Sequence, residues 1–288
     1  MTMMDDKIER DLAELYNGGR MPGVIQDALR LDELGQTNNG QTLFATRALP
    51  DYYYGDRKAK TVMVMLHPGK TAEVANENFW SDIECRSMRD VRDIENYHNW
   101  CMNYGHVDRC RQDSFDLKLA FFLHDWEDTG ISLPENLCAN SDKQTMLDAK
   151  EIVLTQKLTL ELIPYATRIC GKFKPEMAHL LVPFVETILY EIFSCNRKYV
   201  IFCSGQFKDI FEEYNNTYPN TFHIDKNVSM GKIGDSEIPG SCSIITICYK
   251  SNKPLRAIIA NTLQNQALTN AYPLMELYGK FCYNEYIR

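Results

Sequence analysis

The run Thr61-Val62-Met63-Val64-Met65-Leu66 has no polar alternation after its first residue and breaks at once into His67-Pro68-Gly69. A stretch that is apolar at both phases of a period-two repeat suits a strand covered on both faces, as in a parallel sheet. Pro68 has no N–H to give to a ladder, so the strand must end before it. Gly69 allows close approach of backbone to a ligand. His67 is therefore expected at the carboxyl edge of a buried strand, where open α/β sheets bind their ligands.

Three further strand-like runs follow: "KLTLELIPY" ending at Pro164, "KYVIFCSG" ending at Gly205, and "SCSIITICYKS" ending in Lys250-Ser251-Asn252. Helical patterns separate or flank them. Asp5–Tyr16 reads as a short amphipathic helix closed by Asn17-Gly18-Gly19, and the apolar stripe from Met177 to Phe193 repeats at helical spacing, with Pro183 placed to kink it. Leu255–Leu268 and Leu274–Ile287 read as closing helices. Strands alternating with helices predict right-handed crossovers and a three-layer α/β/α sandwich around a central, mainly parallel four-stranded sheet. The expected organisation is a single α/β domain over 1–288. Residues 1–60 form a helical and turn-rich lead-in, and 81–150 a helical insertion beside the sheet that includes "FDLKLAFFLHDW".

A net charge of −8 argues against indiscriminate, whole-surface binding to nucleic acid but leaves room for a local basic groove. Arg86, Arg89, Arg92, Arg109 and Arg111 form one basic cluster, and Lys250, Lys253 and Arg256 another; each reads either as a solvated face or as a phosphate track. The ten cysteines include no Cys-x-x-Cys pair and no zinc-finger spacing, and His98, His106, His124, His179 and His223 show no pairing that marks a metal site. No metal or other cofactor is expected. Met1 to Asp6 lacks the basic lead and apolar run of a signal peptide. The greasiest segment, His179–Phe193, is interrupted by Pro183, Glu186 and Glu191 and does not suit a bilayer. A reducing, cytoplasmic protein without a membrane partner is the expectation.

Gly69-Lys70-Thr71 matches the end of a nucleotide-binding P-loop, but the first glycine of that motif would fall at Val64, inside the strand. Only His67 and Pro68 stand between the strand and Gly69, too little backbone to wrap a phosphate.

The segment "PDYYYGDRKAKTVMVMLHPG" resembles the one that opens the core of uracil-DNA-glycosylase-like proteins. The four runs, in their order, resemble that superfamily's four-stranded parallel sheet. Its first strand runs into a loop ending in Asn-Pro-Gly, Ala-Pro-Gly or Asp-Pro-Tyr, and its last strand delivers a His-Pro-Ser-type loop. By this resemblance His67 takes the place of the residue that positions or activates water, and Pro68 and Gly69 match outright. Phe79 and Trp80 stand where the family stacks an extruded base, and Tyr249-Lys250-Ser251 stands where His-Pro-Ser would be. The sequence departs from the family at both catalytic loops. The resemblance implies a DNA glycosylase that hydrolyses the N-glycosidic bond of a flipped, modified, non-uracil base in repair or anti-phage defence. Its partner would be DNA, single-stranded or duplex with a flipped base.

That chemistry needs support for negative charge on the departing base and a water presented to an oxocarbenium-like sugar. His67 at a helix N-terminus would be held neutral and able to accept a proton from water. Lys250 or Ser251 would donate to the base. Tyr165, Ser204 and Asn252 at the other strand ends would line its pocket, and Lys253 and Arg256 would meet phosphate. Two other functions fit the same framework: a non-catalytic nucleic-acid or nucleotide-binding module, and a hydrolase of free nucleosides or nucleotides.

Overall fold

The computed structural model describes residues 2–16, 49–66, 91–102, 115–133, 137, 143–165, 175–263, 268 and 272–288. In chain order its elements are α1 (Met3–Tyr16), β1 (Tyr53–Gly55), β2 (Thr61–Met65), α2 (Ile94–Met102), α3 (Phe115–Leu123), α4 (Lys143–Gln156) and β3 (Lys157–Glu161). A 3-10 turn (Pro175–Leu181) leads into α5 (Val182–Phe193), β4 (Tyr199–Phe202) and α6 (Phe207–Thr217). The chain closes with β5 (Phe222–Lys232), β6 (Pro239–Ile247), β7 (Leu255–Ala260) and α7 (Tyr272–Ile287).

It is an α/β protein with a seven-stranded mixed sheet, in the order β1-β3-β2-β4-β7-β6-β5. β3, β2, β4 and β7 run parallel; β1 pairs antiparallel with β3, β6 with β7, and β5 with β6. The four-stranded expectation therefore undercounts the sheet. It also places its fourth strand wrongly, because "SCSIITICYKS" forms the antiparallel β6. Leu255–Ala260, read from the sequence as the start of a helix, is the fourth parallel strand. The segment Tyr249–Pro254 is thus a hairpin turn between β6 and β7, with Lys250 in the left-handed region at φ 52°.

Alternation along the parallel strands feeds two apolar layers. Val62, Val64, Leu158, Leu160, Val200 and Ile259 face a core completed by α1, α2, α5 and α6. Met63, Met65, Ile201, Ile244, Ile258 and Ala260 face a second core, built with α3 and α7. Of the described helices in the 81–150 stretch, α2 joins the first core and α3 the second. Each fully buried Ile or Leu in these layers contributes roughly 1.5–3 kcal/mol.

Local chemistry explains the element ends. Thr2 and Asp5 exchange bonds at the start of α1 (Asp5 N to Thr2 Oγ1 3.2 Å, Thr2 N to Asp5 Oδ2 2.9 Å), a capping box. Pro183 sits in the first turn of α5, where its missing N–H costs nothing, so it starts this helix instead of kinking it. α3 and α7 approach closely at Gly279. A Cβ there would lie 1.9 Å from the Phe122 carbonyl oxygen, and the Trp126 indole N–H donates to Gly279 O at 3.1 Å. β5 is an edge strand, mostly exposed, with register shifts between Ile224 and Lys226 and between Ser229 and Gly231.

Candidate functional site

The parallel strands reverse their order of addition at β2 and β4: the chain leaves β2 toward β3 on one side, and leaves β4 toward β7 on the other. Crevices at such a switch point, beyond the carboxyl ends of the strands, are where open α/β sheets take ligands. The residues at this edge are Leu66, Glu161 to Tyr165, Ser204 to Gln206, and Asn261 to Leu263. Backbone bonds carry the ladder to the edge, with Leu162 N to Met65 O, Ile163 N to Leu66 O and Cys203 N to Val64 O each at 2.9 Å.

Ser204, 4% exposed, ends β4 and opens α6: its Oγ accepts from Gln206 N at 3.2 Å. Gly205 leaves space beside it. A Cβ at Gly205 would meet Asn261 Cβ, O and Oδ1, each at 3.6 Å, so the ends of β4 and β7 adjoin there. The Asn261 amide donates to Ser241 Oγ at 3.3 Å and Ser243 Oγ at 3.4 Å. Ser243 in turn donates to Asn227 Oδ1 at 2.7 Å, which also accepts from Lys208 Nζ at 3.0 Å. These bonds fix the Asn261 amide plane and leave its Oδ1 buried with no hydrogen-bond partner among the described residues. A desolvated carbonyl of this kind costs about 1–3 kcal/mol unless a donor reaches it.

On β3 a polar row runs toward the same edge. Lys157, Thr159 and Glu161 occupy alternate positions and are all buried, with Lys157 Nζ donating to Thr159 Oγ1 at 2.5 Å. Glu161 stands in register with Met65. Nearby Cys203 is unsuited to act as a thiolate, because burial pushes its thiol well up.

The structure separates the residues that the sequence suggested would converge. Since β6 is antiparallel, Lys250, Ser251, Asn252 and Lys253 lie at the amino edge of the parallel strands. The six residues of β7, roughly 20 Å at about 3.3 Å per residue, separate them from Asn261. There Lys250 Nζ pairs with Glu186 Oε1 at 3.0 Å and stands 4.6 Å from the Tyr249 ring centroid, while Asn252 Nδ2 donates to Tyr249 O at 3.0 Å. Ser251 and Lys253 are exposed in the same turn. Arg256 is also near that edge, in a cleft of about 330 Å³ that it shares with Lys226, Thr246, Glu285 and others. Its guanidinium donates to Glu285 O at 3.4 Å and lies 5.6 Å from the Tyr286 ring.

Tyr165 is at the expected edge, but its hydroxyl points inward, donating to Asp11 Oδ2 at 2.7 Å beside Tyr52 Oη at 2.6 Å. Burial holds the Asp11 carboxyl above its usual range despite these two bonds. Of the described sequence candidates only Ser204 and Tyr165 lie at the carboxyl edge, and the Tyr165 hydroxyl is turned inward to Asp11. His67, Pro68, Gly69, Phe79 and Trp80 lie outside the described residues.

Sequence reasoning missed Glu161 and Asn261. Glu161 had a legible signal, since Lys157, Thr159 and Glu161 repeat at period two within an apolar run. Asn261 had none once Leu255–Leu268 was read as a helix. No helix among the described residues is long and apolar enough to cross a membrane. Comparison with protein-family models, with curated proteins and with solved structures finds no match.

Proposed function

We propose that the protein is an N-glycosidic-bond hydrolase of the uracil-DNA-glycosylase type, working on a flipped, modified base at the carboxyl edge of its parallel strands. The observation that carries this reading is the arrangement of four parallel strands with β2 beside the switch point, the strand that His67-Pro68-Gly69 follows in the sequence. Four of the seven strands run parallel, which supports the resemblance in the direction and order of those four. The arrangement also moves one correspondence: the loop after the last parallel strand is Asn261-Thr262-Leu263, not Tyr249-Lys250-Ser251.

In this reading the bond from sugar carbon to base nitrogen breaks with its electron pair passing to the base, a water held by His67 forms the new C–O bond, and the proton that His67 takes from that water is returned to the departing base. Asn261 Oδ1 accepts a hydrogen bond from an N–H on the base. Ser204, together with backbone at Gly205, borders the ring, the missing Cβ leaving it room. Incubation with duplex and single-stranded oligonucleotides carrying a panel of modified bases should yield abasic sites, lost in His67→Ala and reduced in Asn261→Ala. No abasic site across the panel, beside an active control glycosylase, would refute it.

One observation favours a second reading, hydrolysis of free nucleosides. Two residues of the Lys250, Lys253 and Arg256 cluster are committed elsewhere, Lys250 to Glu186 and Arg256 to α7, both far from the carboxyl edge. Base release from nucleosides with a shallow salt response would select this alternative, because binding to a phosphate backbone weakens steeply with salt.

A further inference from the structure

We propose that the turn after α3 and the adjoining face of α7 form a site for a first-row divalent transition-metal ion such as Zn²⁺, held by His124, Asp125 and Glu276. One ligand atom of each residue lies within 4.8 Å of the other two. Donors sharing one ion in a tetrahedral shell at bond lengths of about 2.0–2.2 Å stand roughly 3.3–3.6 Å apart, so side-chain rotations that bring these atoms up to about 1.5 Å closer would close the set. Imidazole with two carboxylates suits zinc, nickel, cobalt or iron better than magnesium or calcium, which prefer all-oxygen shells. Water would complete the coordination, because His124 and Asp125 are exposed.

Two independent features set this trio apart from an ordinary charged surface. The backbone beneath it is pinned. Phe122 and Trp126, which bracket His124 and Asp125, both contact Gly279, one turn along α7 from Glu276. The ligand-bearing segments are thus held together by a close backbone approach of Phe122 to Gly279 and by the Trp126 indole bond to Gly279 O. Two carboxylates from different elements also converge, which is unfavourable between like charges unless a cation offsets it. Lys280 Nζ stands 3.8 Å from Asp125 Oδ2 and partly does so. A divalent ion would do it more fully and would compete with that ammonium. Bound there, the ion would fasten α3 to α7 independently of any chemistry at the carboxyl edge.

The test is calorimetric titration of ZnCl₂ into chelator-stripped, full-length protein, with quenching of Trp126 fluorescence by Co²⁺ as a second, local readout. One equivalent should bind, and His124→Ala and Glu276→Gln should each weaken it by about tenfold or more. Both residues are at the surface, so these variants should fold, as circular dichroism would check. Lys280→Met should bind roughly two- to fivefold tighter once the competing charge is gone. Absence of zinc binding to the wild type, or binding that survives the double substitution unchanged, would overturn the proposal.

Discussion

Lys250 Nζ lies 3.0 Å from Glu186 Oε1, at the opposite end of the parallel strands from Ser204. The same carboxylate accepts from Tyr249 Oη at 2.6 Å and, through Oε2, from Tyr214 Oη at 2.5 Å. Glu186 therefore ties α5, α6 and the β6–β7 turn together, and Lys250 serves that joint.

This joint gives a pH signature. Burial raises the Glu186 carboxyl, but the hydrogen bonds from Tyr214, Tyr249 and Lys250 outweigh it, so the group sits below its ordinary value of 4.5. A depressed carboxylate contributes stability that is present above the unfolded value and is lost as pH falls through the folded one. The urea midpoint of the wild type should exceed that of Glu186→Gln at pH 7, and the gap should close below about pH 4. A gap that is constant from pH 7 to pH 3 would contradict this.

Arg57 joins the first turn of α1 to α5. Its guanidinium donates to both Glu191 oxygens (2.8 and 2.5 Å) and to Asp5 Oδ1 at 2.6 Å, and Glu191 is 1% exposed. Arg57→Met would leave a buried carboxylate without its partner and should cost roughly 3–5 kcal/mol in urea unfolding. Arg57→Lys should recover only part of this, since an ammonium cannot reproduce the two-pronged geometry.

Gly279→Ala should be among the most damaging single-methyl changes in the protein. The new carbon would fall 1.9 Å from the Phe122 carbonyl oxygen, which is backbone and cannot swing aside. A loss of about 2–4 kcal/mol is expected, with a change in Trp126 emission as its bond to Gly279 O is strained.

Gly205→Ala should separate folding from function. Its added carbon would meet Asn261 atoms at 3.6 Å, an ordinary contact, so stability should change by less than about 1 kcal/mol. If the ligand rests against Gly205 beside Asn261, turnover should drop by roughly 10²-fold, the scale of a misplacement near 1 Å. Unchanged turnover at unchanged stability would move the site elsewhere.

The strands β2, β3 and β4 were legible because continuous apolar runs reflect burial on both faces. Direction was not legible. Cys242 to Ile245 is buried without a break, as the parallel strands β2, β3 and β4 are, so composition alone cannot show that it runs the other way. Leu255–Ala260 looked helical because its apolar residues merge with Leu263 and Leu268 into a helix-like spacing, while Lys253-Pro254 before it is an equally good turn signal. Reading Leu255–Ala260 as a helix puts Lys250 and Ser251 at the carboxyl edge, whereas the structure sets them at the amino edge, and it leaves Asn261 inside a helix. Glu161 was overlooked for another reason: buried polar residues within an apolar run look like interruptions until their common face is known.

Among the described residues β5 leaves one border of the sheet with open backbone groups over eleven residues, yet two register shifts and the side chains of His223, Asp225, Lys226 and Lys232 interrupt it. Another chain trying to add itself alongside would find neither a straight template nor an apolar strip to cover. Concentrated solutions should therefore resist fibre formation for as long as this hairpin stays intact, and smoothing those shifts or neutralising those charges would be the quickest way to make the protein stick to itself.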